Sequence, residues 1–227
     1  SLACMEDDSL KLLTFVAIAV GLLYILFFSP WALTGRIISW KKQIPIGEAK
    51  EGEEFEVCGI ANLARGYVYS PLSNKKCLYY HIVVKDNRRG TSRVPVDVFE
   101  EEKAVDMLLF DGANYALVDN VDNTYYVDKE GIRSTSFWSA EDPELLRFLK
   151  YKGIKLVAWS GFTKNLVVTE RLIEVGETVT VFGSGRWCNP KELKLKLDAG
   201  KVLHISARYG TIPRITDDPY SAKILKG

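Results

Sequence analysis

Side chains that usually carry chemistry are scarce in this sequence. It holds two histidines, His81 and His204, and four cysteines, Cys4, Cys58, Cys77 and Cys188, with no C-x-x-C pair. A classical zinc site needs about four such ligands at close spacing, so no metal site is expected. Four cysteines in 227 residues also fall short of the density of a disulfide-stapled scaffold. Buried or free thiols are the expectation, and a Cys58–Cys77 bridge stays open for an oxidising compartment. No serine stands in a G-x-S-x-G elbow, and neither histidine has a carboxylate partner by spacing. Gly183-Ser184-Gly185 lacks the third glycine and following helix of a phosphate loop and reads as a turn between strands. Asp119, Asp122 and Asp128 lack the glycine and closing glutamate of a calcium loop and read as a polar hairpin turn. No catalytic residue and no cofactor is therefore expected. An excess of one charge is missing too. With 30 Lys+Arg against 29 Asp+Glu, the chain lacks the basic footprint of a nucleic-acid binder.

One long apolar run is present. From Leu12 to Phe28 there is no charged residue, and the apolar character continues to Leu33. As a helix, Leu12–Leu33 would be about 33 Å long, enough for a hydrocarbon core of about 30 Å. Pro30 would kink or end it, and Trp31 and Trp40 stand where interfacial aromatics belong. The preceding residues are acidic (Glu6, Asp7, Asp8) and no A-x-A-like site follows, which argues for an anchor over a cleaved signal peptide. Arg36, Lys41 and Lys42 follow the run and only Lys11 precedes it. By the positive-inside rule the C-terminal part would be cytoplasmic in a prokaryote. Met5 stands as a candidate native start.

Beyond Lys42 the pattern becomes short alternating runs separated by turn residues. Strands are expected at Glu54–Ile60, Tyr67–Tyr69, Cys77–Val84, Val94–Phe99, Tyr115–Val118 and Thr124–Val127. More follow at Ile154–Trp159, Leu166–Glu170, Glu177–Gly183, Val202–Ala207 and Ile212–Thr216. Asp142-Pro143-Glu144 signals the start of one helix and Gly153 its end. Glu100–Met107 reads as either a second helix or a loop. The expected class is α+β, mostly antiparallel β, a barrel- or sandwich-like domain plus one N-terminal transmembrane helix. Its divisions are an N-terminal flank (1–11), the membrane helix (12–33), a juxtamembrane linker (34–46), the β-rich domain (47–217) and a tail (218–227), expected to be frayed or to continue into something longer.

One combination of motifs is informative. Residues 47–84 read GEAKEGEEFEVCGIANLARGYVYSPLSNKKCLYYHIVV, with Ser70-Pro71-Leu72-Ser73 followed by Cys77, Tyr79 and Tyr80. LLFDGANYALVD (108–119), ERLIEVGETVTVFG (170–183) and LHISARYGTIPRITD (203–217) follow in order, the second carrying Glu170 and Gly176. This arrangement resembles the GIDE domain, the module beside the membrane in mitochondrial and chloroplast E3 ubiquitin ligases and their prokaryotic relatives, over roughly residues 45–220. The resemblance implies a β-rich domain close to a bilayer, used for binding or assembly, and in an organelle it would face the intermembrane space or lumen. In the eukaryotic ligases a second membrane helix and a RING follow. A RING needs eight Cys/His ligands, and only three cysteines and two histidines lie after Leu33, so ligase activity does not carry over.

Within the block, alternation places Tyr79 and His81 on one strand face and Tyr80 and Ile82 on the other. Pro71 would fix a turn, Cys77 would be a small buried residue, and Glu170 would pair with Arg171. Ser70, Pro71, Leu72, Ser73, Cys77, Tyr79, Tyr80, Glu170 and Gly176 are the candidate partner surface, weighed against a role in packing alone. The expected partners are the lipid bilayer and either a protein partner or a second copy, not nucleic acid. The leading expectation is a single-pass, non-catalytic module that binds or scaffolds at the membrane surface. The alternatives are a membrane-associated hydrolase with a dispersed site and a ligase-like scaffold lacking its second helix and RING.

Overall fold

The computed structural model describes residues 43–87, 95–128, 131–135, 142–156 and 164–218, all within one unit, Gln43–Gly227. Twelve strands and one helix are named in chain order: β1 (Glu54–Leu63), β2 (Val68–Tyr69), β3 (Lys76–Asp86), β4 (Val96–Ala104), β5 (Met107–Phe110), β6 (Tyr115–Val118), β7 (Thr124–Tyr126), β8 (Gly131–Ser134), α1 (Pro143–Tyr151), β9 (Leu166–Glu174), β10 (Thr178–Cys188), β11 (Val202–Ile205) and β12 (Arg214–Thr216).

Alternation along β1 sets up the first layer. Phe55, Val57 and Ala61 enter one apolar cluster, while Glu56, Cys58 and Ile60 point the other way. The strand is long enough to pair with two neighbours, β10 over Glu54–Ile60 and β5 over Ile60–Leu63. The order β1-β5-β6-β11-β10 then returns to β1 and closes a five-stranded barrel. Every pair in the ring is antiparallel except β6 with β11. This is the connectivity of an OB-type Greek-key barrel. β12 pairs with β10, and β7 runs parallel to β12.

Two insertions build the second layer. β2, β3 and β4 fall between the first and second barrel strands; β7, β8, α1 and β9 fall between the third and fourth. They meet in a sheet where β3 pairs with β2, β4 and β9, and β9 with β8. α1 covers one face with Leu145, Phe148 and Leu149 against Tyr80, Ile82, Val84, Val168 and Leu172. Asp142 caps α1 by accepting from the N–H groups of Glu144 and Leu145, with Pro143 at the first helical position. The layers share a core: Leu78, Tyr79 and Ile173 of the second sheet belong to the barrel's cluster. The Tyr79 ring stacks on Tyr125 with centroids 4.0 Å apart.

The β-rich class and the α1 boundaries agree with expectation. Several local readings change. Glu100–Met107 is neither helix nor loop, because β4 continues to Ala104 and β5 begins at Met107. Pairing with β3 overrides the helix preference of three glutamates on an edge strand. Gly183-Ser184-Gly185 lies inside β10 rather than in a turn. A Cβ on Gly185 would stand 2.7 Å from the His204 carbonyl oxygen, so glycine admits the close approach of β11. Ile154–Leu156 is not strand; it follows the left-handed Gly153, and Ile154 and Leu156 pack beside α1. The domain's contacts begin before residue 47, since Gln43 is buried, Ile44 bridges to Val57 and Ile46 is fully buried. Leu12–Leu33 lies outside the described residues, and among those described no helix is long and apolar enough to cross a membrane.

Candidate functional site

The structure brings the two motif blocks together around one carboxylate. Glu170, buried on β9, accepts hydrogen bonds from Ser70 Oγ, from Ser73 Oγ at 3.0 Å and from Ser73 N at 3.3 Å. The Ser70 hydroxyl oxygen in turn accepts from Leu72 N at 3.3 Å. Ser70 N donates to Lys75 O, and Asn74 N to Ser70 O, closing the Pro71-containing turn. Asn74 supplies the left-handed residue that turn needs (φ 56°). The expected Glu170–Arg171 pair does not form, because adjacent strand residues face opposite sides. Arg171 Nη1 instead lies 3.3 Å from His81 Nδ1.

The other motif residues are also interior. Leu72, Cys77 and Tyr80 sit in the cluster under α1, and Tyr79 in the barrel cluster. The Cys77 thiol donates to Val68 O, and Tyr80 OH donates to Glu101 Oε1 at 2.6 Å. Gly176 takes the left-handed conformation (φ 95°) in the β9–β10 turn, and its N–H donates to Ala61 O at 2.8 Å. The block is thus a buried knot that docks the first insertion on the second. Of its members, only Pro71, Ser73 and Gly176 reach the surface appreciably.

A second polar cluster joins two other motif blocks, 108–119 and 203–217, in a way their spacing does not show. His204 on β11 contacts Tyr209 OH through Nδ1 at 2.9 Å and Asp119 Oδ2 through Nε2 at 3.3 Å. Asn123 Nδ2 donates to the Asp119 carbonyl at 2.7 Å. Burial holds the His204 pKa below the ordinary histidine value, and the Asp119 charge opposes that shift. The hydroxyl on this imidazole is a phenol whose own pKa burial raises, so the trio lacks the aliphatic nucleophile of an acyl-transfer triad. Among the described residues no three His, Cys, Asp or Glu side chains group as metal ligands.

The described cysteines are inert by placement. Cys58, Cys77 and Cys188 are free and buried, so no Cys58–Cys77 bridge exists. Burial pushes the Cys77 thiol up to about 12 and raises that of Cys58 as well. Cys58, Cys77 and Cys188 are expected to resist a disulfide reagent in the native protein and to react after denaturation. A Cys58 or Cys77 adduct after brief labelling, mapped by mass spectrometry, would contradict this.

The barrel face used by OB-type folds for oligonucleotides and oligosaccharides is filled by the chain itself. The loop between β10 and β11 lays Leu193 and Leu195 over Leu108, Leu117, Cys188 and Val202. Arg65 holds it by donating to Leu193 O at 2.7 Å while pairing with Asp106. Beside it an open cleft of about 550 Å³ is lined by Asn114, Tyr115, Trp187, Asp198 and Lys201, among others. The exposed large apolar side chains include Ile60, Leu63, Tyr67, Tyr69 and Val175. Comparison with family models, curated proteins and solved structures returns no match.

Proposed function

We propose that this protein is a single-pass membrane protein whose GIDE-like, β-rich domain is a non-catalytic binding module held at the bilayer surface. The observation that carries the reading is the uncharged Leu12–Phe28 run, extended to Leu33 and followed by Arg36, Lys41 and Lys42. Two features of the domain favour binding over catalysis. The nucleophilic side chains of the motif block, Ser70 and Cys77, are buried and bonded into the knot. The hydroxyl on the His204 imidazole is the Tyr209 phenol, not an aliphatic nucleophile. The module's partner is a second protein or a second copy of the chain.

The test is extraction of the full chain from membranes at alkaline pH. Wild type should stay with the lipid pellet. Leu22→Arg with Leu26→Arg should release it, since each arginine at the centre of a span costs about 2.5–3.5 kcal/mol on insertion. Release of wild type by carbonate would refute the anchor.

A further inference from the structure

We infer that the exposed patch formed by Ile60, Tyr67, Tyr69 and Val175, with Lys76, rests on the lipid interface. The inference depends on the anchor proposed above. The backbones that carry the patch adjoin one another. Tyr69 pairs with Lys76 and Val68 with Cys77 on β3, while Cys77 pairs with Glu174 on β9, one residue before Val175. Gly176 N then donates to Ala61 O, beside Ile60 on β1. The surface therefore crosses from the second sheet to the barrel. Its apolar members are well exposed: Ile60 45%, Tyr67 46%, Tyr69 54% and Val175 39%.

Its chemistry matches a headgroup boundary. Tyr67 and Tyr69 pack edge to face at 5.3 Å, and the Lys76 ammonium stands 4.1 Å over the Tyr67 ring. Tyrosine and lysine are the residues that lay an apolar body in the acyl boundary while keeping a polar tip in the headgroups. Lys75 pairs with Glu174 at the patch edge, and Glu177 lies beside it, so two lysines meet two glutamates and local charge cancels. The attraction is then apolar burial rather than capture of anionic lipid, and salt should affect it little.

Chain length points to the same partner. Only residues 34–42 separate the apolar run from Gln43, and nine residues reach at most about 30 Å. The chain joins the domain on the strands that carry the patch: Gln43 Nε2 donates to Thr180 Oγ1, Thr180 pairs with Cys58, and two positions along Thr178 pairs with Ile60.

The experiment places a nitroxide at Tyr69→Cys, and separately at Val175→Cys, in the full chain carrying Cys4→Ser. The protein is reconstituted in phosphatidylcholine–phosphatidylglycerol nanodiscs. Collision with oxygen, which partitions into lipid, is compared with collision with a water-soluble nickel chelate. The expected result is an oxygen-to-nickel ratio at 69 and 175 several times that at a Lys191→Cys control, unchanged on adding salt. Nickel access equal to the control would overturn the proposal, placing the patch in water. Exclusion of both reagents with spin–spin broadening would overturn it in favour of a second copy. A chain that resists carbonate extraction yet gives either result loses the lipid contact alone; one that carbonate releases loses the anchor and the contact with it.

Discussion

Glu170→Ala should destabilise the domain by about 2–4 kcal/mol, because it takes a buried acceptor away from the donors that converge on it. Three donors converge on the Glu170 carboxylate: Ser70 Oγ, Ser73 Oγ and Ser73 N. Hydrogen bonds to a charged acceptor contribute roughly 1.5–3 kcal/mol each before non-additivity, and a buried donor left without a partner costs about 1–3. The loss would spread beyond the carboxylate. Leu72, 1% exposed, is seated under α1 by the turn that Glu170 holds, and β2 is tied to β3 by only two residue pairs. Releasing the turn therefore unseats a core leucine. Glu170→Gln keeps one acceptor oxygen and should cost about 1–2 kcal/mol; Ser73→Ala, at the partly exposed rim, should cost about 1. Urea denaturation followed by tryptophan fluorescence gives the comparison. A loss below 1 kcal/mol for Glu170→Ala would show that the knot is not what holds the insertions together.

The same residues show what could be read from the sequence. The SPLS block and the Glu170 block are each visible as motifs, but their partnership spans 100 positions and depends on the β3–β9 register, which sets Ile82 opposite Glu170. No local pattern encodes that register. β3 was legible because Cys77–Val84, His81 apart, is a run of apolar and aromatic residues with strand preference. Of β4 only the first part was, within Val94–Phe99, because Glu100, Glu101 and Glu102 read as helix formers until β3 supplies the hydrogen bonds. Glycine in Gly183-Ser184-Gly185 signals a turn by propensity, and only the approach of β11 explains it as strand.

His204 is a sharper case. Spacing along the chain offered it no carboxylate, yet Asp119 is in contact from 85 positions away. β6 and β11 run parallel with Val118 opposite Ile205, which brings the residue after β6 alongside β11. A search for acid–base pairs by sequence spacing finds neighbours on one helix or hairpin. It is blind to a parallel pair separated by the second insertion and β10. What remained legible at a distance was composition: an uncharged run, a balanced charge and few chemically active side chains.

Raising the pH from 4.5 to 8 should cost the wild-type domain about 3 kcal/mol through Glu56 alone, and Glu56→Gln should abolish that loss. Glu56 lies on the outer side of β1 and is 2% exposed. Burial raises its pKa to about 7, and a hydrogen bond with Gln43 offsets part of the shift. In the unfolded chain the group titrates near 4.5. Between these values the folded state binds more protons than the unfolded state, so stability falls as pH rises. The contribution is fully present below about 4.5 and gone above about 7. The rise from 4.5 to about 7 corresponds to about 3 kcal/mol. His204 works the other way: its folded pKa lies below the unfolded value, so its contribution is lost as pH falls. That term is common to wild type and variant and cancels in their difference. At pH 5 the two proteins should melt close together, since a protonated carboxyl and an amide make similar demands on the site. At pH 8 the glutamine variant should melt higher by roughly 6–12 °C, at 2–4 °C per kcal/mol for a domain of this length. Thermal unfolding of the full chain in one detergent across this pH range supplies the measurement. Parallel melting curves would mean that Glu56 reaches solvent and its carboxylate is hydrated in the folded protein.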